Sequence, residues 1–256
     1  MAMMLHAIEA GQGDPPLVLL HGLFGSARNF GSVQREFAVH RRTIALDLRN
    51  HGSSPHDPVM RYASMADDVL QTLDRMSALP AMLLGHSMGG KAAMQAALTQ
   101  PDAVARLVVA DIAPVPYPPH LRGVAEAMAA LPLASGMTRV DADAALAAAV
   151  PEQGMRAFLL QNLQLGEKPR WRIGLAEIIA AFADIEAWEA PADARYAGPT
   201  LFIAGASSNY MKPEHRPVIR GLFPNARFVT LKNAGHWLHA DNPSAFVAVV
   251  EAFSLR

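Results

Sequence analysis

The 256-residue chain contains no cysteine, which excludes disulfides, thiolate nucleophiles and cysteine-based metal sites and leaves the redox compartment unmarked. An excess of charge is missing too. Twenty-two basic against 23 acidic residues leave a formal charge of -1, so no polybasic surface for nucleic acid or anionic lipid is expected. No apolar run approaches the roughly 20 residues that a membrane-spanning helix needs. The opening MAMMLHAIEAGQGDPP has neither a basic start nor a continuous apolar stretch with a small-residue cleavage site. H-E-x-x-H and comparable metal spacings are also lacking, which disfavours a metallohydrolase. These absences point to a soluble, cytoplasmic protein whose partner is a small, largely neutral or apolar molecule.

What the chain does have is apolar material, 51% of its residues, enough for one large core. Short apolar runs bounded by turn residues alternate with longer stretches of helical period, the pattern of a mostly parallel sheet covered by helices on both faces. Strands are expected at Leu17 to Leu20, Arg42 to Leu48, Ala81 to Leu84, Ala105 to Asp111, Thr200 to Ala204 and Arg227 to Leu231. Between them, Phe30, Val33 and Phe37 share a helix face, as do Met65, Val69, Leu73 and Met76, and Ser64 with Asp67 fits a capping box at the start of the second helix. Gly89 to Thr99 reads as a small-residue helix, and Phe246, Val250 and Phe253 face inward from the last one. After Asp111 four prolines break the rhythm, and no strand is expected until about residue 200. Residues 115 to 195 or so, alanine-rich and helical in period, read as a cap inserted into a single α/β domain of 256 residues.

The strongest chemical signal is Gly85-His86-Ser87-Met88-Gly89, a G-x-S-x-G sequence between an expected strand and an expected helix. A serine on so sharp a turn needs crowded backbone angles, and glycines two residues to either side let strand and helix pass closely. The turn presents Ser87 as a nucleophile above the sheet edge. The Met88 amide at the helix N-terminus then faces the charge that develops on an attacked carbonyl oxygen. The loop His21-Gly22-Leu23-Phe24-Gly25-Ser26 follows an earlier strand, where a second oxyanion donor is needed, and the Leu23 amide is the candidate.

Of ten histidines, His236 lies between the last strand and the last helix, at the sheet edge that carries Ser87, and is the candidate general base. His239 is its competitor, while His6, His40, His56, His120 and His215 read as surface or loop residues. The loop after Thr200 to Ala204 offers no carboxylate before Glu214. Asp111 instead ends the strand next to the nucleophile and is the candidate acid, with Glu214 and Asp241 as alternatives.

The combination HGLFGS (21 to 26), DLRNHGSSPH (47 to 56), GHSMGGK (85 to 91) and DIAPVPY (111 to 117) closely resembles the bacterial YbfF-type esterases of the α/β-hydrolase superfamily. The resemblance runs from near the N-terminus to the last helix. It implies hydrolysis of short acyl esters, with acyl-CoA thioesters as a second class, a helical cap over the site and no cofactor. It likewise implies that Asp111 orients the histidine, with Ser208 or its neighbour Ser207 as a polar auxiliary. His21, Asn50, His51 and His86 are expected to shape loops. Asp47, Arg49 and Lys91 are expected to be solvated or salt-bridged. An acyl pocket is expected from Phe24 and Met88 beside the oxyanion hole and from Leu159, Leu163 and Trp171 in a cap stretch that also carries Phe158, Leu160 and Leu165. Carbon–carbon bond hydrolysis, perhydrolysis or a lyase step would use the same serine and histidine, and a ligand-binding protein of this fold is the rival outside enzymes.

Overall fold

The computed structural model describes residues 2–255. From the N-terminus the chain forms β1 (Ala7–Ala10), β2 (Leu17–Leu20), α1 (Gly31–Phe37), β3 (Thr43–Leu46), α2 (Tyr62–Arg75), β4 (Ala81–His86), α3 (Met88–Thr99) and β5 (Val104–Ala110). A mostly helical segment follows: α4 (Arg122–Ala130), α5 (Arg139–Leu146), α6 (Gln153–Leu160), the two-residue strands β6 (Leu163–Gln164) and β7 (Arg170–Trp171), α7 (Leu175–Ala180) and α8 (Phe182–Glu186). The chain then returns to the sheet with β8 (Thr200–Gly205), α9 (Arg216–Leu222), β9 (Ala226–Leu231), α10 (Leu238–Asp241) and α11 (Pro243–Ser254).

Seven strands make one sheet in the order β1-β3-β2-β4-β5-β8-β9, parallel throughout except for β1 at its edge. The central strands LVLL, AMLLGH and TLFIAG are buried at every position, as sheet strands covered on both faces must be. Successive side chains point to opposite faces. Leu17, Leu19, Leu84 and Val108 therefore join Val33, Phe37, Phe246 and Val250 from α1 and α11. On the other face Val18, Leu20, Leu83 and Leu107 join Met65, Val69, Leu73 and Ala93 from α2 and α3.

Three expectations need correction. The edge strand β1 and the β6–β7 hairpin inside the helical segment had no run long enough to announce them. Ser64 does not cap α2: the N-cap is Arg61, and the Ser64 carbonyl, inside the helix, accepts from Arg49. The segment between β5 and β8 lies over the ends of the parallel strands. It is tied there by Asn162 Nδ2 to the Phe24 carbonyl at 2.7 Å, the Gly174 amide to the Asn50 carbonyl at 2.8 Å and Tyr62 Oη to the Ile185 carbonyl at 2.5 Å. It also has a small core of its own around Leu131, Leu146, Leu160 and Leu163. Among the described residues no helix is long and apolar enough to cross a membrane.

Candidate active site

Ser87 stands between β4 and α3 with φ +52° and ψ −119°, a strained conformation for a side-chain-bearing residue, costing about 1–3 kcal/mol. Its neighbours hold it there. The Ser87 amide donates to the Ala110 carbonyl at 3.0 Å and its carbonyl accepts from Gly90 at 2.8 Å. A Cβ at Gly85 would overlap the Gly89 carbonyl, and one at Gly89 would overlap that of Leu20. Only glycine permits β4, α3 and β2 to converge so closely.

Asp111, fully buried and itself at φ +53°, follows the neighbouring strand β5. Its Oδ2 lies 2.7 Å from His236 Nδ1 and accepts a hydrogen bond from Ser208 Oγ, while Oδ1 accepts from the Gly205 amide at 3.1 Å. With an acceptor at Nδ1, the neutral imidazole carries its proton there and turns a lone pair outward at Nε2. Ser207 is exposed and contributes only a backbone bond to the Ala234 carbonyl, so of the two serines Ser208 alone reaches the carboxylate. Asp241 Oδ2 caps the Gly235 amide at 2.7 Å.

Three further histidines act on the backbone. His86 Nε2 lies 2.7 Å from the His236 carbonyl, which can only accept, so that nitrogen carries the proton. Burial, reinforced by His236 and His239, holds His86 well below the ordinary histidine range. His21 Nδ1 donates to the Gly22 carbonyl at 2.8 Å while its Nε2 accepts from the Leu48 amide at 3.0 Å. His51 Nδ1 donates to the Arg49 carbonyl at 2.8 Å while its Nε2 accepts from the Phe24 amide at 3.2 Å. Each bond pattern requires the neutral ring, and burial depresses both groups, His51 to about 3. The pair staples the Gly22–Gly25 turn to the loop after β3. Leu23 lies in that turn, and Met88 is the first residue of α3, where an amide has no intrahelical acceptor.

Two cavities flank Ser87. One is bordered by Phe24, Asn29, Met155, Phe158, His236 and Trp237. The other is bordered by Met88, Tyr62, Lys91, Tyr117, Phe182 and Glu186. Leu23, Leu121 and Tyr210 border both. Of the expected pocket residues, Phe24 lines the first cavity, but Leu159, Leu163 and Trp171 line neither. Leu159 is fully buried in the main core, and Leu163 belongs to the core of the helical segment. Trp171, half-buried, donates Nε1 to the Met128 carbonyl at 3.0 Å and borders a separate surface cleft. Helix geometry explains the miss. Met155 and Phe158, three apart on α6, share the face toward the site, and Leu159 is rotated about 100° away.

Lys91 also departs from expectation: it is neither solvated nor ion-paired but 2% exposed, one turn beyond Ser87 on α3. Arg49 does form a buried ion pair, with Asp68 at 2.7 Å. Tyr210 has no motif to reveal it, yet its ring stacks on His236 with centroids 4.0 Å apart.

A strained serine elbow and a pair of His236 with the buried Asp111 at the same edge of a parallel sheet define a hydrolase of the α/β class. Residues 15–243 match the α/β hydrolase fold family, and the chain belongs to it. It is 42% identical over 248 residues to the sn-1-specific diacylglycerol lipase ABHD11 of Mus musculus, covering 93% of this chain and 80% of that protein. It is 39% identical over 244 residues to the esterase YbfF of Escherichia coli strain K12, covering 94% and 93%. Among solved structures, a marine microorganism esterase superposes with a TM-score of 0.95 at 33% identity, covering 98% of this chain and all of that one.

Proposed function

We propose that Ser87, His236 and Asp111 form a catalytic triad that hydrolyses esters of short carboxylic acids through an acyl-enzyme on Ser87. The chain is a carboxylic ester hydrolase, a reading supported by esterase and lipase relatives along nearly its whole length. In the proposed cycle His236 Nε2 takes the Ser87 proton as the oxygen attacks the ester carbonyl. The Leu23 and Met88 amides receive the negative charge that collects on the carbonyl oxygen, and Asp111 stabilises the imidazolium. His236 then returns the proton to the departing alcohol, and water repeats the sequence on the acyl-enzyme. The observation that carries this reading is the Ser208–Asp111–His236 relay, whose imidazole borders the same cavity as a serine held at positive φ.

Because His236 must protonate the leaving group, the alcohol belongs in the cavity that His236 borders, and the acyl group in the one it does not. The acyl cavity is lined by the bulky side chains of Lys91, Tyr62 and Phe182, which favours short chains. Thioesters of short acids, whose leaving thiol occupies the same side, form a proposed second class. The segment 115–195 serves as the cap, since it supplies Leu121, Met155 and Phe158 to one cavity and Phe182 to the other. A fluorophosphonate probe should label the wild type and not Ser87→Ala, with ester hydrolysis lost in parallel. Labelling or turnover in folded Ser87→Ala would remove Ser87 from the mechanism.

A further inference from the structure

The acyl cavity is aromatic and aliphatic along most of its wall but includes a primary amine. Lys91 Nζ donates to the Ala187 carbonyl at 2.9 Å and approaches the Glu186 carbonyl at 3.5 Å. It also lies 5.2 Å and 5.0 Å from the ring centroids of Tyr62 and Tyr117. An ammonium has three donors, so one remains for whatever fills the cavity. Lys91 follows Ser87 by four residues, and its amide donates to the Ser87 carbonyl at 3.1 Å. Glu186, which also borders the cavity, forms no ion pair with Lys91 and has a buried, unpartnered Oε1. Besides Ser87, the remaining polar side chains on the wall are Tyr62, Tyr117, Tyr210 and His120.

Resting on the assignment of this cavity to the acyl group, we propose that Lys91 recognises a carboxylate at the far end of a short acyl chain, so that half-esters of dicarboxylic acids are preferred substrates. The physical reason is incomplete compensation. Burial pushes the Lys91 amine down to about 7 even though Glu186 acts in the opposite direction. A cation so short of partners in a low-dielectric wall gains from an added anion more than a hydrated surface lysine would. The two main-chain carbonyls aim the amine, and the rings of Tyr62 and Tyr117 favour its charged form. A plain alkyl chain would leave the third N–H unsatisfied.

The test compares three ethyl esters of matched length: monoethyl glutarate, the amide of that half-ester, and ethyl pentanoate. Wild type at pH 6.5 should favour the glutarate over the pentanoate in kcat/KM by roughly tenfold or more, mainly through KM. Lys91→Met should abolish that ratio. The ratio in wild type should also decline as pH rises through about 7, where Lys91 loses its proton in the free enzyme. Should Lys91→Met fail to fold, free glutarate must still inhibit wild-type pentanoate hydrolysis more strongly than free pentanoate does, and less so at high pH. Equal handling of the glutarate and pentanoate esters, or preference for the amide over the acid, overturns the proposal while leaving the esterase intact. Failure on all three esters, with no probe labelling, would instead overturn the esterase reading.

Discussion

The relay at Asp111 makes a graded forecast for single side chains. Asp111→Asn keeps the shape but offers His236 Nδ1 a group that can present either a donor or an acceptor, so the imidazole loses its enforced tautomer. Turnover should fall by about 10³–10⁴, the scale that such a change has in serine hydrolases. Ser208→Ala removes one of three donors to a carboxylate that keeps the other two, and should cost about tenfold or less. Steady-state kinetics on one ester at one pH rank the two variants, with circular dichroism verifying the fold. The reverse order, or full activity in Asp111→Asn, would show that the imidazole is oriented from elsewhere.

Two adjacent residues of α6 separate structure from specificity. Leu159 is fully buried, and Leu159→Ala should destabilise the protein by about 2–5 kcal/mol through the cavity it leaves. Phe158 borders the cavity proposed for the leaving group and packs on Trp237 with ring centroids 5.6 Å apart. Phe158→Ala should raise KM for esters of bulky alcohols more than for ethyl esters. Denaturant titration and a panel of alcohols distinguish the two, and a larger stability loss in Phe158→Ala would contradict the assignment.

At the scale of loops and strands, the two stapling histidines tie catalysis to architecture. His51→Phe preserves a ring but leaves the Phe24 amide and the Arg49 carbonyl without their partner, a loss of about 1–3 kcal/mol. If that staple holds the Leu23 amide in place, kcat should drop while KM changes little. An unchanged kcat in an equally destabilised variant would assign the turn a purely structural role.

The same elements show what was legible beforehand. The six expected strands lie on the observed ones because each is a dense apolar run, and Ser87, Asp111 and His236 each follow one of them, so strand order placed all three at one edge. The strand β1 was not legible: its AIEA sequence is short and polar at one position, and pairing with β3 is what makes it a strand. Leu159 was misplaced because a leucine-rich helix does not declare which of its faces meets its own core, and Leu163 and Trp171 because they fall in the short β6–β7 hairpin that no apolar run announced. Tyr210 was missed for a related reason, since stacking on His236 is a tertiary contact between residues 26 positions apart in the chain. Lys91 was misjudged because composition predicts a lysine to be wet.

Over the molecule as a whole, buried neutral histidines set an acid limit. His21, His51, His86 and His239 are all depressed by burial, His51 to about 3 and His239 to about 4, against an ordinary value of 6.5. Unfolding restores the ordinary value, so below about pH 6.5 the unfolded chain binds protons that the folded one refuses. Stability present at neutral pH is therefore lost as pH falls, each such histidine adding a slope of about 1.4 kcal/mol per pH unit. The midpoint of urea unfolding should drop steeply between pH 6.5 and 5. A flat profile across that window would mean that these rings take up protons equally in the native and unfolded states.

The adjacency of β5 and β8 has a further consequence during synthesis. Val108 and Ala110 pair with Leu201 and Ile203, yet about 90 residues are translated between them. At about 5–20 residues per second, β5 leaves the ribosome seconds before its neighbour exists. For that interval its apolar margin is an unpaired edge, the kind that recruits other strands. The nascent chain is thus most exposed to aggregation while the helical segment is emerging, well before His236 is made.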